Sequence, residues 1–133
     1  MNAMLKDMFS FEGRLRRIHY FLYLLCGGLI FTFAYLIIGV GLGALFGSMT
    51  LPIILLIPFF VAYIWFCLAV AVKRLHDLNK SGWYYLICLI PIVNFFWGLY
   101  MLFGDGTVGP NNYGPDPKNR VSASQFNGGA PRY

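Results

Sequence analysis

The sequence predicts an all-α integral membrane protein with three transmembrane helices and a short amphipathic interfacial helix ahead of them. Three observations carry this reading. Apolar residues make up 59% of the 133-residue chain and charged residues only 11%, against roughly 25% charged in a soluble domain. Too few polar groups remain to clothe a soluble fold of this size. Three uncharged apolar runs, residues 20–46, 51–72 and 83–103, are each long enough to cross a bilayer. The formal net charge of +5 gathers in the segments outside those runs. Together they predict a membrane domain over residues 1–117 and a disordered tail over 118–133.

The N-terminal segment mixes Leu5, Met8 and Phe9 with Lys6, Arg14, Arg16 and Arg17. That pattern suits a helix lying in the headgroup region, although Gly13 weakens its continuity. The first run, at 1.5 Å per residue, measures about 40 Å as helix against a hydrocarbon core of about 30 Å. It must tilt, reach into the headgroups or end early near Gly39. A secretory leader is not expected, because its apolar stretch is much shorter.

Residues 47–52 form an uncharged connection. The second run contains Pro58, which should kink it or break its first turn. The third contains Pro91, which leaves the carbonyl of Ile87 in need of another partner such as Asn94. After Phe103 the sequence turns to Gly, Asn, Pro and Asp, which is turn chemistry. From Lys118 onward the composition is that of a disordered tail.

Lysines and arginines set orientation. Lys6, Arg14, Arg16 and Arg17 precede the first run, Lys73, Arg74 and Lys80 separate the second from the third, and the first loop has none. This predicts a cytoplasmic N-terminus and second loop, with the tail outside. A third run that re-enters instead of crossing would return the tail to the cytoplasmic side.

Three constellations carry candidate chemistry. Arg14, Arg16, Arg17, Lys73, Arg74 and Lys80 should share one interface, with Trp83 as an aromatic anchor. Arginine forks and lysine charges suit anionic headgroups or an acidic partner, while the plain alternative is topology and anchoring. His76 and Asp77 are adjacent and would diverge by about 100° on a helix. Asp77 is better placed to pair with Arg74 or Lys73 within a buried turn. Further metal ligands are missing from the neighbourhood, so no metal site is expected. Gly39, Gly43 and Gly47 recur every fourth residue, marking a homodimer seam, an internal helix contact or a helix end. Cys26, Cys67 and Cys88 lie inside apolar runs and read as packing residues. Ser81 should cap the third helix, with Gly82 permitting a close approach.

The stretches Phe11-Glu12-Gly13-Arg14-Leu15-Arg16-Arg17-Ile18-His19-Tyr20-Phe21 and Arg74-Leu75-His76-Asp77-Leu78-Asn79-Lys80-Ser81-Gly82-Trp83 resemble two motifs of the DUF805 family of small bacterial inner-membrane proteins. Gly109-Pro110-Asn111-Asn112-Tyr113-Gly114-Pro115-Asp116-Pro117 is similar to that family's tail motif. Phe21 replaces its usual Trp, and Lys73 and Lys80 replace arginines. The resemblance implies a multi-pass protein of the bacterial inner (plasma) membrane. It also implies that Arg14, Arg17, Arg74, His76, Asp77 and Trp83 form one structural or binding unit.

The expected function is a non-enzymatic membrane module. It would bind anionic lipid headgroups or a partner protein through a basic face of Arg14, Arg16, Arg17, Lys73, Arg74, His76, Asp77, Lys80 and Trp83. An oligomeric small transporter or channel is the alternative, with broken helices at Pro58 and Pro91. An enzyme built on His76 and Asp77 requires the fold to bring Arg14, His19 or Asp105 within reach. No catalytic residue, cofactor or nucleic-acid partner is expected; a homo-oligomer or a membrane protein partner remains open.

Overall fold

The computed structural model describes residues 9–122. Its order is helix α1 (Arg17–Phe46), helix α2 (Thr50–Asp77), a 3₁₀ helix (Gly82–Leu89) and helix α3 (Pro91–Phe103). The all-helical membrane class holds: two long apolar helices are joined by a shorter one. Most of the expected interfacial helix, residues 1–8, lies outside the described residues. From Ser10 to Arg16 the chain is not helical. Leu15, part of the segment assigned to that helix, is instead buried in the core.

α1 is continuous but not uniform. Its turns widen to a π-helix over Tyr35–Gly41 before α-helix resumes. Gly47 then ends it with φ +62°, a left-handed conformation that costs glycine no Cβ clash. α1 and α2 form an antiparallel hairpin. A Cβ on Gly27 would lie 2.6 Å from the Phe66 ring, and one on Gly43 2.6 Å from Met49 Sδ. Gly39 packs similarly near Leu56. Of the glycine stripe, Gly39 and Gly43 therefore serve the internal contact between α1 and α2, and Gly47 is the helix end. α2 runs through Pro58 without interruption.

The third apolar run is not the continuous span expected over residues 83–103. Ile90 is extended, with φ −92° and ψ 110°, as the residue before a proline prefers. Its N–H donates to Ile87 O at 3.1 Å, and its carbonyl accepts from Asn94 N–H at 2.7 Å. Pro91 thus opens α3 at a position where a missing N–H costs nothing. The chain doubles back at this break. The Tyr84 ring stacks on Trp97 with centroids 6.1 Å apart, whereas a straight helix would hold those residues about 20 Å apart. Gly82 at the hairpin's start packs on Val72, and Gly104 at its end lies against Leu78. Both feet therefore flank the last turns of α2.

The 3₁₀ arm rises about 16 Å at 2.0 Å per residue and α3 about 20 Å, each short of the bilayer's hydrocarbon core. The tip stays apolar and open, with Leu89 72% and Ile92 77% exposed. As a result the tail does not leave at the opposite end. It returns to the end that carries Arg14 and Asp77. The small core sits there too, formed by Leu15, Tyr20, Val70, Ala71, Leu75, Leu78 and Met101.

The fold-back has a direct check. In a chain lacking Cys26, Cys67 and Cys88, the pair Tyr84→Cys and Trp97→Cys should join through a bismaleimide of about 10 Å reach. A straight span would hold them about 20 Å apart and give no product.

Candidate functional site

Where the charged segments meet, one carboxylate is clasped by two guanidinium groups. Asp77 closes the last turn of α2, one turn after Arg74. Its Oδ2 accepts from Arg74 Nη1 at 2.6 Å, and its Oδ1 from Arg14 Nε at 3.0 Å. The side chains of Arg14, Asp77 and Arg74 are 1%, 2% and 0% exposed. Arg74 is the i−3 partner foreseen for Asp77; Arg14 arrives from 63 residues away.

The remaining guanidinium hydrogens go to backbone carbonyls. Arg74 donates to Met101 O at 2.6 Å, to Leu15 O at 3.4 Å and to Gly104 O. Met101 and Gly104 mark the C-terminal end of α3, where carbonyls lack intrahelical partners and the helix dipole favours a cation. Arg14 donates to Thr107 O at 2.6 Å and Gly109 O at 2.7 Å. One arginine thus pins the returning hairpin and the other pins the tail.

The tail closes over this hub. The Thr107 N–H and hydroxyl both donate to Asp77 O, at 2.9 and 2.8 Å. Asn111 Nδ2 donates to His76 O at 2.8 Å. Leu15 N–H donates to Lys73 O at 3.2 Å. The Thr107 bonds fill the Asp77 carbonyl, which the helix itself leaves open, while His76 O also accepts from Asn79 N–H at 3.0 Å. Gly106 passes so close that a Cβ there would fall 2.0 Å from Asp77 Oδ2. The His76 ring stacks flat on Tyr113, with centroids 3.9 Å apart, and its Nδ1 lies 3.3 Å from Gly13 O.

A second cluster fastens the tail to itself. Arg120 Nε donates to Asp116 Oδ2 at 2.8 Å and Nη1 to Asp105 Oδ2 at 2.9 Å, while Lys118 pairs with Asp105. Lys118 and Arg120 are thus tied down although they fall in the segment expected to be disordered. Residues 123–133 of that segment lie outside the described residues. Burial alone would raise the Asp116 carboxyl. The bonds from Arg120 and the Lys118 and Gly109 N–H groups outweigh that and hold it well below the usual carboxylate range. Burial lowers the His76 pKa, against the smaller opposite pull of the Gly13 carbonyl.

The expected basic face divides in two. Arg14, Arg74 and Asp77 are internal and cannot meet a headgroup. Arg16 donates to Pro117 O at 2.7 Å, and the Lys80 ammonium lies 5.5 Å from the Tyr84 ring centre. Lys73 is half-buried, Arg17 is exposed on the first turn of α1, and Trp83 is 79% exposed. Ser81 Oγ accepts from Trp83 N–H at 3.4 Å, capping the 3₁₀ helix.

His76 and Asp77 are not partners of each other: Asp77 pairs with Arg14 and Arg74, and His76 stacks on Tyr113. Arg14 does come within reach of Asp77, yet both carboxylate oxygens are occupied by guanidinium groups and the site is sealed. Sequence reasoning did not assign Gly106, Thr107, Asn111, Tyr113, Asp116 or Arg120 to this site. The tail motif, which contains Asn111, Tyr113 and Asp116, was the available signal for those three.

Comparison with known proteins adds four findings. The family described as "Protein of unknown function (DUF805)" matches residues 8–115. Inner membrane protein YhaH of Escherichia coli K12 is 37% identical over 118 residues, covering 86% of this chain and 92% of the relative. Inner membrane protein YhaI of the same strain is 34% identical over 119 residues, covering 87% and 92%. No solved structure matches the chain.

Asp77→Asn should destabilise the fold by about 3–5 kcal/mol, because it leaves two buried guanidinium groups without a counter-charge. Thermal unfolding in mild detergent would show this, and an unchanged Tm would sink the hub's structural role. Acidification should loosen the tail. His76 and Asp116 both hold lowered pKa values in the fold. Each contributes stability above its unfolded pKa, about 6.5 and 3.9 respectively, that is lost as pH falls through the folded value. Hydrogen-exchange protection over 105–120, taken relative to the intrinsic rate at each pH, should therefore fall below about pH 6.5 and again below about pH 4; constant protection from pH 8 to 3 contradicts it.

Proposed function

The chain belongs to the DUF805 family, and from that premise we propose that it is a non-enzymatic module of the bacterial inner membrane that engages anionic lipid headgroups through a cytoplasmic basic rim. In this reading α1 and α2 cross the bilayer and the hairpin of the 3₁₀ helix and α3 enters and leaves on one side. The N-terminus, hub and tail then share the cytoplasmic face, in keeping with the excess of lysine and arginine there.

The observation that carries the reading is how charge is distributed. Every charged group among the described residues lies at the hub end of the molecule. Three of the four acidic ones are paired within the chain: Asp77 with Arg14 and Arg74 in the interior, Asp116 with Arg120, and the exposed Asp105 with Lys118 and Arg120. Among the groups that make no ion pair, the outward charge is chiefly basic: exposed Arg17 and half-buried Lys80 beside the aromatic anchor Trp83, with exposed Glu12 as the acidic exception. A basic residue near an anionic surface contributes about 1 kcal/mol, so a few suffice to enrich acidic lipid around the protein. The glycine stripe, already used between α1 and α2, gives no separate support to an oligomeric channel.

Native mass spectrometry of the protein extracted with its own lipids tests the reading. Arg17→Glu combined with Lys80→Glu should strip retained anionic lipid while the detergent Tm holds, and a reporter fused after Tyr133 should register as cytoplasmic. An unchanged lipid profile, or a periplasmic reporter, would count against it.

A further inference from the structure

The outward basic groups are not equivalent, and one of them stands at the mouth of a cleft. α1 and α3 diverge at the hub end and leave a cavity of about 330 Å³ between them. Its walls are Ile18 and Phe21 from the first turns of α1 and Leu102 and Phe103 from the end of α3, with Arg17 as its polar member. Ile18 is 54% exposed, Phe21 45% and Phe103 69%. The cleft thus carries a cation on one residue and hydrocarbon on the other four.

Among the described residues Arg17 makes no ion pair. Asp105, which follows α3 closely, feels the charge of Arg17. Its two oxygens are held by Lys118 and Arg120 instead. The guanidinium therefore keeps its donors for something else, and the adjoining walls exclude a fully hydrated ion as the natural occupant.

We propose that this cleft is a specific site for one anionic phospholipid, its phosphate on the Arg17 fork and the start of an acyl chain between Phe21 and Phe103. The proposal rests on the headgroup-binding reading above and gives it an address. Charge complementarity selects the occupant. A guanidinium fork matches two phosphate oxygens bidentately, and the apolar walls match the glycerol-proximal methylenes. A hydrophobic partner helix would leave Arg17 without a counter-charge, and free phosphate would leave the walls wet. The site also sits where α1 meets the end of α3, so a bound lipid would bridge the spanning helix and the re-entrant hairpin.

The test uses delipidated full-length protein in nanodiscs of phosphatidylcholine containing a small fraction of spin-labelled phosphatidylglycerol. Wild type is compared with Arg17→Ala, Ile18→Trp, which fills the cleft, and Lys80→Ala, which leaves it untouched. Protease resistance of the tail reports that the hub is intact in each. The immobilised lipid signal should fall at least about fivefold in Arg17→Ala, the order expected for one basic residue beside an anionic headgroup. It should fall likewise in Ile18→Trp and persist in Lys80→Ala. Loss in Lys80→Ala with retention in Arg17→Ala overturns the cleft while leaving the basic rim standing. Retention in all variants overturns both. Displacement of the labelled lipid by millimolar inorganic phosphate would show that the anion alone is recognised, and would overturn the phospholipid assignment.

Discussion

The fold depends on a single carboxylate held between two arginines. Asp77 ends one spanning helix. Arg74, a turn earlier, reaches the terminal carbonyls of α3, and Arg14 reaches from the N-terminal segment into the tail. Without Asp77 those two cations would repel each other in a space with almost no water. With it they become rivets joining segments far apart in sequence. Burying ions costs several kcal/mol each, so the arrangement is a poor way to gain net stability. Its merit is specificity: no other carboxylate in the vicinity can satisfy both forks at once.

That economy suits a membrane protein. Between helices in lipid there is little hydrophobic driving force, because lipid tails are as apolar as the side chains. Many large apolar residues of α1, α2 and the hairpin are exposed and have no preference among partners. The position of the hairpin must be set by polar contacts at its feet. The hub supplies them where water and headgroups are near, so the charges need not be carried into hydrocarbon. Helix ends receive the same treatment. Open carbonyls of α2 and α3 are filled by Thr107 and Arg74, a requirement that is stricter in lipid than in water.

Much of this was legible in the sequence. The two long helices follow from uncharged runs longer than a bilayer needs, Ser81 caps as its position suggests, and the pairing of Asp77 with Arg74 follows from helical spacing. The third run misled because hydropathy records length and not direction. Residues 83–103 are as greasy as a span, and nothing in that measure distinguishes one crossing from two half-crossings. The clue lay at Ile90-Pro91, where an extended residue before proline is enough to reverse the chain. A second clue was the basic pair Lys118 and Arg120, which sits uneasily on an external face. The role of Arg14 was hidden for another reason. Sequence counts an arginine near an interface as outward-facing, and only the fold reveals a carboxylate waiting for it.

The half-depth hairpin gives the molecule an uneven profile. Near the hub, four helical segments stand side by side; beyond the Leu89–Ile90 tip, only α1 and α2 continue. Helices with side chains are about 10 Å across, so the leaflet on the hub side gives up roughly twice the area of the other. In the proposed placement the protein would act as a wedge. With α1 and α2 crossing the bilayer as proposed, each copy would displace more lipid from one monolayer than from its mate, and an array of copies sharing one orientation would place the two monolayers under unequal lateral pressure. Bending toward the narrower side relieves that difference. In that placement the Ile90-Pro91 break would link a local choice of backbone angle to the curvature of the surface in which the chain is embedded.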